Sequence, residues 1–194
     1  MMHTTPIWQS YIAETQGPMF TPEQCKLIID KGMSLKHEVA SVGFGAKEGG
    51  INDPNKRITS ISWIPFKDMP EMYTEIEATM LKANNNHFGF DGMCLSEAAQ
   101  FTYYRTGGFY KWHMDNDIIG KTQAPIRKIS MTLLLSDPST FDGGELEFMD
   151  EGRMLKLKQG QAVFFASWLQ HRVKPVTKGE RHSLVMWFGG PSFK

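Results

Sequence analysis

The sequence predicts a mainly β fold with helices confined to its N-terminal third, an α+β chain. Its strands would close into a sandwich or barrel, with the helices packed outside one sheet. Three observations point there. Two helix-start signals, Thr21-Pro22 and Met69-Pro70, occur before residue 91. Beyond Asp91, short runs of β-branched, aromatic and aliphatic residues alternate with turn residues at intervals of roughly 8–12. The chain is 194 residues long and 41% hydrophobic, with no linker, repeat or low-complexity tract to divide it. The expectation is one domain over 1–194, with helical support over about 1–92 and a β core over about 96–190.

In Thr21-Pro22-Glu23-Gln24, Thr21 can cap a helix, Pro22 suits its first turn, and Gln24 can reach back as in a capping box. That helix carries Cys25, Leu27, Ile28 and Ile29 to about Gly32. Ser41 to Pro54 is rich in glycine and charge and reads as a mobile loop suited to a lid. Arg57 to Pro65 alternates as a strand. Met69-Pro70-Glu71 opens a second helix with Met72, Ile76, Met80 and Leu81 on one side. Eight strands are expected after that: Glu97–Tyr104, Phe109–His113, Ile129–Leu135, Glu145–Met149, Met154–Leu157, Ala162–Phe165, His171–Val176 and Arg181–Phe188.

Composition excludes several function classes. Twenty-one basic residues balance 21 acidic ones, so no net charge draws the chain to nucleic acid or an anionic membrane. Cys25 and Cys94 are too few for a disulfide framework and lack metal-binding spacing. No basic head followed by an apolar run opens the chain, and no stretch approaches a membrane span. A soluble cytoplasmic protein is the expectation.

The first chemical signal is His113-Met114-Asp115, because strand residues two apart share a face. His171 supplies a second imidazole from a later strand, as jelly-roll topology allows. Two histidines and a carboxylate cover one face of an octahedron and leave positions open, the facial triad of non-haem Fe(II) oxygenases. A closed structural zinc site would need four protein ligands. Arg181 begins a strand with Ser183, Val185 and Trp187 on one face. If Lys178-Gly179 closes a hairpin, Arg181 pairs near Val176, roughly 17 Å along the strand from His171. A five-carbon dicarboxylate, with a histidine and an arginine side chain reaching in from each end, spans such a gap, with one end on the metal. Arg181 would take the distal carboxylate as a bidentate pair, and Ser183 would donate a hydrogen bond to it. In the pattern Tyr104-x-x-Gly107-x-x-Tyr110-x-x-His113-x-Asp115, either Tyr104 or Tyr103 can offer its hydroxyl to the same ligand, and Tyr110 reads equally as a core aromatic.

At these residues the sequence resembles the prolyl 4-hydroxylase-like group of Fe(II)/2-oxoglutarate dioxygenases, including bacterial and phage PKHD-type hydroxylases. The matching blocks are 104–116 (YRTGGFYKWHMDN), 127–138 (RKISMTLLLSDP), 141–146 (FDGGEL), 160–175 (GQAVFFASWLQHRVKP) and 179–187 (GERHSLVMW). The resemblance implies a double-stranded β-helix, a jelly-roll of cupin type. It implies Fe(II) on His113, Asp115 and His171, 2-oxoglutarate anchored by Arg181, and ascorbate as a further candidate reductant. An arginine ten residues after His171 is similar to the PKHD and oxygen-sensing branches, whereas the collagen-type branch generally uses lysine. Two departures stand out. A C-terminal extension typical of PKHD proteins is expected to be absent, and Leu133 stands near where some relatives carry a further ligand-binding tyrosine.

The expected activity is hydroxylation of a C–H bond, with succinate and CO2 as co-products. Asp115 is the carboxylate that related halogenases lack. A prolyl residue of a peptide or protein is the favoured substrate, with another residue or a small molecule as rivals, and Arg57 and Trp187 as candidate substrate contacts. Two other classes compete: a metal-binding jelly-roll module without turnover, and a zinc hydrolase on the same three ligands. Neither gives a reason for Arg181 and Ser183 on one strand face.

Overall fold

The computed structural model describes residues 10–40, 53–116, 125–149 and 152–192. Strand β1 (Ile12–Glu14) precedes helix α1 (Pro22–Ser34). The capping box is formed: the Thr21 hydroxyl accepts from the Gln24 N–H at 3.3 Å, and Gln24 Oε1 accepts from the Thr21 N–H at 2.9 Å. Strands β2 (Glu38–Val39), β3 (Arg57–Ile58) and β4 (Ser60–Ile64) lead to helix α2 (Pro70–Ala83), continued by a π turn over Asn84–Phe88. Helix α2 buries Met72, Tyr73, Ile76 and Met80. Leu81, expected on that face, is 43% exposed, because one residue beyond Met80 is a third of a turn round the helix. The segment read as a lid lies mostly outside the described residues.

The remaining strands are β5 (Cys94–Leu95), β6 (Ala99–Arg105), β7 (Phe109–His113), β8 (Ile126–Leu134), β9 (Asp142–Gly143) and β10 (Leu146–Phe148). After them come β11 (Met154–Leu155), β12 (Ala162–Ala166), β13 (His171–Val173), β14 (Val176–Lys178) and β15 (Glu180–Gly190). The larger sheet runs β1-β12-β8-β15-β6-β4-β2, with β5 on β15; the smaller runs β11-β10-β13-β7-β3. One apolar cluster, including Ile28, Ile76, Phe101, Met131, Leu184 and Phe188, fills the space between the helices and the larger sheet. A second, including Tyr104, Leu134, Leu146, Phe148 and Phe165, lies on the larger sheet's other face, toward the smaller one. The result is a jelly roll with its helices on one sheet. Among the described residues no helix is long and apolar enough to cross a membrane.

Three expected elements are built differently. Arg57 to Pro65 is two strands in two sheets: β3 pairs with β7 and β4 with β6. Thr59 lies at the transfer and donates its hydroxyl proton to the Tyr103 carbonyl at 2.9 Å. The expected strand His171–Val176 likewise divides, since β14 pairs with β9 rather than continuing β13. Lys178-Gly179 does not close a hairpin. Gly179, at φ +73°, packs so that a Cβ would stand 2.3 Å from the Thr140 carbonyl. From there the chain passes into β15, which inserts between β8 and β6, so Arg181 faces Tyr104 across the ladder rather than a residue near Val176.

Candidate active site

His113 closes β7, and His171 opens β13 directly opposite it in the antiparallel pair. Their ring centroids are 4.2 Å apart. Asp115 lies beyond the end of β7, so strand alternation does not place it. A turn does: the N–H groups of Asp115 and Asn116 both donate to the Ser167 carbonyl, at 2.9 and 3.0 Å. That carbonyl belongs to the segment leading into His171. The Asp115 carboxylate ends 3.6 Å from Nε2 of His113 and 3.6 Å from Nε2 of His171.

Both imidazoles are oriented from behind. Nδ1 of His113 lies 2.7 Å from the Lys111 carbonyl and Nδ1 of His171 lies 2.9 Å from the Leu169 carbonyl. A carbonyl can only accept, so each Nδ1 carries a proton and each Nε2 is turned toward Asp115. Burial, reinforced by the neighbouring His171, pushes His113 down to about 3. Burial alone would push the Asp115 carboxyl up, but the charge of the two imidazoles, helped by the side-chain donors of Ser130 and Trp187, outweighs it and holds it below the usual carboxylate range. Two imidazoles and a carboxylate, with ligand atoms all within 4.8 Å of one another, are a donor set for a divalent metal. They are the one such cluster among the described residues. Three ligands leave coordination positions free.

The three residues line a cavity of about 690 Å³ that also reaches Tyr104, Arg57 and Trp187. Arg181 sits behind this wall and is only 3% exposed. Its NH1 group donates to Ser183 Oγ at 2.8 Å, and its guanidinium carbon lies 5.6 Å from the centre of the Tyr104 ring. Among the described residues no carboxylate lies within ion-pair distance, and burial pushes the guanidinium below its ordinary range against the pull of Tyr104 and Glu145. A buried cation without a counter-ion is costly, and an anionic ligand removes the cost. Gly144 lets it lie there: a Cβ at that residue would stand 2.7 Å from Arg181 Cδ.

The other sequence candidates divide between the two sheet faces. Tyr104 faces the cavity. Tyr103 faces the helices, where its ring stacks on His182 with centroids 4.8 Å apart and its hydroxyl donates to Glu180; alternation along β6 therefore removes it from the candidates. Leu133 also points away, into the helix-side core, and its neighbour Thr132 faces the cavity. Arg57 is buried, donates to Gln100 Oε1 at 3.0 Å, and stands 4.5 Å above the Tyr110 ring, its buried Nε without a partner among the described residues. Trp187 forms a wall with the Arg127 guanidinium 3.9 Å from its ring centre. Tyr110 is more than a core aromatic. It stacks on His113, and burial pushes its phenol up to about 12. Sequence reasoning also passed over Arg127, paired with Glu97, whose only sequence signal is a charge at the head of an apolar strand.

Comparison with known proteins agrees with this geometry. Residues 99–189 match the family model described as the 2OG-Fe(II) oxygenase superfamily. A PKHD-type hydroxylase of Teredinibacter turnerae is 41% identical over 131 residues, 64% of this chain and 58% of that protein. The chain thus spans little more than half the length of this curated relative. The viral collagen prolyl hydroxylase of Paramecium bursaria Chlorella virus-1 shares the fold at TM-score 0.72 and 19% identity, over 93% of this chain and 97% of that one. A prolyl hydroxylase from Trichoplax adhaerens, solved with a hypoxia-inducible-factor oxygen-degradation-domain peptide fragment, does so at TM-score 0.69 and 15% identity, over 93% and 84%.

Proposed function

We propose that the chain, whose residues 99–189 match the family model of the 2OG-Fe(II) oxygenase superfamily, is an Fe(II)- and 2-oxoglutarate-dependent dioxygenase that hydroxylates a prolyl residue of a peptide or protein. The observation that carries the proposal is Arg181, a buried cation with no acidic partner among the described residues, paired across the ladder with Tyr104 of the cavity that holds the three-ligand cluster. A metal-binding module without turnover gives that arginine nothing to do, and neither does a zinc hydrolase.

His113, Asp115 and His171 would hold the iron. With 2-oxoglutarate and O2, the iron supplies the oxidising chemistry, in which 2-oxoglutarate goes to succinate and CO2 and one oxygen atom enters a C–H bond. The protein's own part is placement. Carbonyl-held Nδ1 protons keep both Nε2 atoms turned inward, and Asp115 brings the negative charge a divalent ion needs. Arg181 would pair with the distal carboxylate of 2-oxoglutarate, with the Tyr104 hydroxyl as a neighbouring donor. Trp187, Leu146 and Val173 line the cavity with apolar surface that keeps water from the reacting centre. Arg57, whose guanidinium lies at the cavity wall, suits the carbonyl groups of a peptide, and the Trp187 ring suits an apolar side chain. The peptide reading is supported by the peptide bound to the Trichoplax relative. A metal that must stay reduced and two free thiols fit a cytoplasmic setting, where ascorbate would serve as auxiliary reductant.

The decisive experiment is an anaerobic titration of the Fe(II)-loaded chain with 2-oxoglutarate. A visible charge-transfer band is expected, lost in Asp115→Ala; its absence from the unsubstituted chain sinks the oxygenase reading. For the substrate, peptides from a host lysate are incubated with the enzyme and read by mass spectrometry. Gain of one oxygen atom only at residues other than proline would overturn the prolyl assignment.

A further inference from the structure

We infer that Thr102 is a positioning residue for 2-oxoglutarate binding: through Ser183 it fixes the guanidinium of Arg181, and so sets the grip on the distal carboxylate. The inference rests on the anion-site reading of Arg181 given above. Thr102 and Ser183 face each other across β6 and β15, and Tyr104 and Arg181 are the next pair on the same face. Thr102 and Ser183 are both fully buried.

The three polar groups allow one order of protons in which every link is made. Arginine has only donors, so its NH1 group, 2.8 Å from Ser183 Oγ, uses that oxygen as an acceptor. Thr102 Oγ1 lies 2.5 Å from Ser183 Oγ and 3.1 Å from the Ser183 carbonyl oxygen. The carbonyl can only accept, so it takes the single proton of Thr102. The contact between the two hydroxyls then takes the single proton of Ser183. Donation therefore runs from Arg181 to Ser183 Oγ, on to Thr102 Oγ1, and back to the Ser183 backbone.

Two consequences follow. Ser183 has no proton left for a ligand, so the expected hydrogen bond from Ser183 to the carboxylate is replaced by a different role: Ser183 holds the arginine. Thr102 decides whether it can. Without an acceptor at position 102, the buried Ser183 proton loses its partner or turns toward Arg181, where it meets another donor. One guanidinium edge is then released, and Arg181 recovers rotamer freedom that the ligand must remove again on binding.

The test uses the full Fe(II)-loaded chain under anaerobic conditions, with binding measured by calorimetry. The probes are 2-oxoglutarate and oxalate, which chelates the metal but carries no distal carboxylate. Thr102→Val is expected to weaken 2-oxoglutarate about tenfold, the effect of one hydrogen bond to a charged group. Oxalate binding should stay within about twofold, and Thr102→Ser should restore 2-oxoglutarate to within about threefold. Thr102→Val added to Ser183→Ala should cost nothing further, since both break one chain. A general packing defect would weaken both probes and would not be rescued by serine. Thr102→Ala and Ser183→Ala, which remove the hydroxyls without adding bulk, keep the test open if the valine variant misfolds. Unchanged 2-oxoglutarate affinity in Thr102→Val, equal weakening of oxalate, or additivity with Ser183→Ala would each overturn the inference. If Arg181→Ala also leaves 2-oxoglutarate binding unchanged, the failure lies in the anion-site reading itself.

Discussion

Gly144→Ala separates backbone strain from loss of the arginine slot. Gly144 has φ +68°, and a Cβ there would lie 2.7 Å from Arg181 Cδ and 3.0 Å from Val176 Cγ2. Left-handed backbone costs an L-residue roughly 1–2 kcal/mol. In a chain of this size, where 1 kcal/mol moves Tm by about 2–4 °C, that strain alone lowers it by about 2–8 °C. The clash adds a second effect. Cδ lies midway along the side chain, so relief moves the guanidinium with it and breaks the 2.8 Å bond to Ser183. Gly89→Ala is the control, because φ is +71° there and a Cβ would meet nothing within 4 Å. Thermal unfolding should show both variants destabilised, Gly144→Ala more so. Calorimetric titration should show 2-oxoglutarate weakened about tenfold or more in Gly144→Ala and unchanged in Gly89→Ala. Equal Tm losses with no difference in affinity would refute the claim that Gly144 shapes the seat of Arg181.

Arg181→Lys should weaken 2-oxoglutarate about tenfold, although lysine keeps the positive charge. Here Gly144, Tyr104 and Ser183 fit a planar fork that one ammonium cannot replace, and calorimetry giving wild-type affinity would contradict this. The metal-free fold should lose stability with acid. Because His113 falls to about 3 from an ordinary 6.5, the unfolded chain binds more protons in that window. Its stabilising share is whole above about pH 6.5 and drains as pH falls toward 3, with the depressed Asp115 carboxyl continuing the trend at lower pH. Urea midpoints at pH 7, 5 and 4 should fall in the wild type and fall less in His113→Gln; a flat wild-type profile would count against it. Finally, Cys25 is fully buried and its thiol is pushed up to about 11, whereas Cys94 is exposed. A thiol reagent at pH 8 should label one group rapidly and the second only in denaturant, with Cys94→Ser abolishing the rapid phase; two equal native rates would exclude this.

What the sequence could convey follows from range. Local signals read well: the Thr21 capping box forms as written, and the bounds of Phe109–His113 match β7. Pairing partners did not, because they are set by contacts far apart in sequence. Lys178-Gly179 has the composition of a hairpin turn, but β14 and β15 part there to join different sheets. Arg57 to Pro65 shows unbroken alternation across a change of sheet at Thr59, since each half still presents alternate residues to an interior. The choice between Tyr103 and Tyr104 was open for a related reason. Strand β6 is buried on both faces, by the helices on one side and toward the smaller sheet on the other, so hydrophobicity does not label the cavity face.

The same two-sided burial hid the residues that support the charges. Gln100, Thr102 and Tyr104 share one face of β6: Gln100 accepts from Arg57, Thr102 completes the chain through Ser183, and Tyr104 lies beside the Arg181 guanidinium. In sequence they sit in Ala99–Arg105, where a threonine or glutamine reads as ordinary strand composition. Their meaning comes from exposure: Thr102 is at 0% and Gln100 at 4%, and a buried polar group needs a partner. In a strand covered on both sides that partner lies across the ladder or across the interior. Each neutral residue therefore points to what it satisfies, and on this strand two of the three point to an arginine. Charged residues announce a site in sequence. The neutral polar residues alternating behind them determine where those charges are held, and that becomes legible once the ladder register is known.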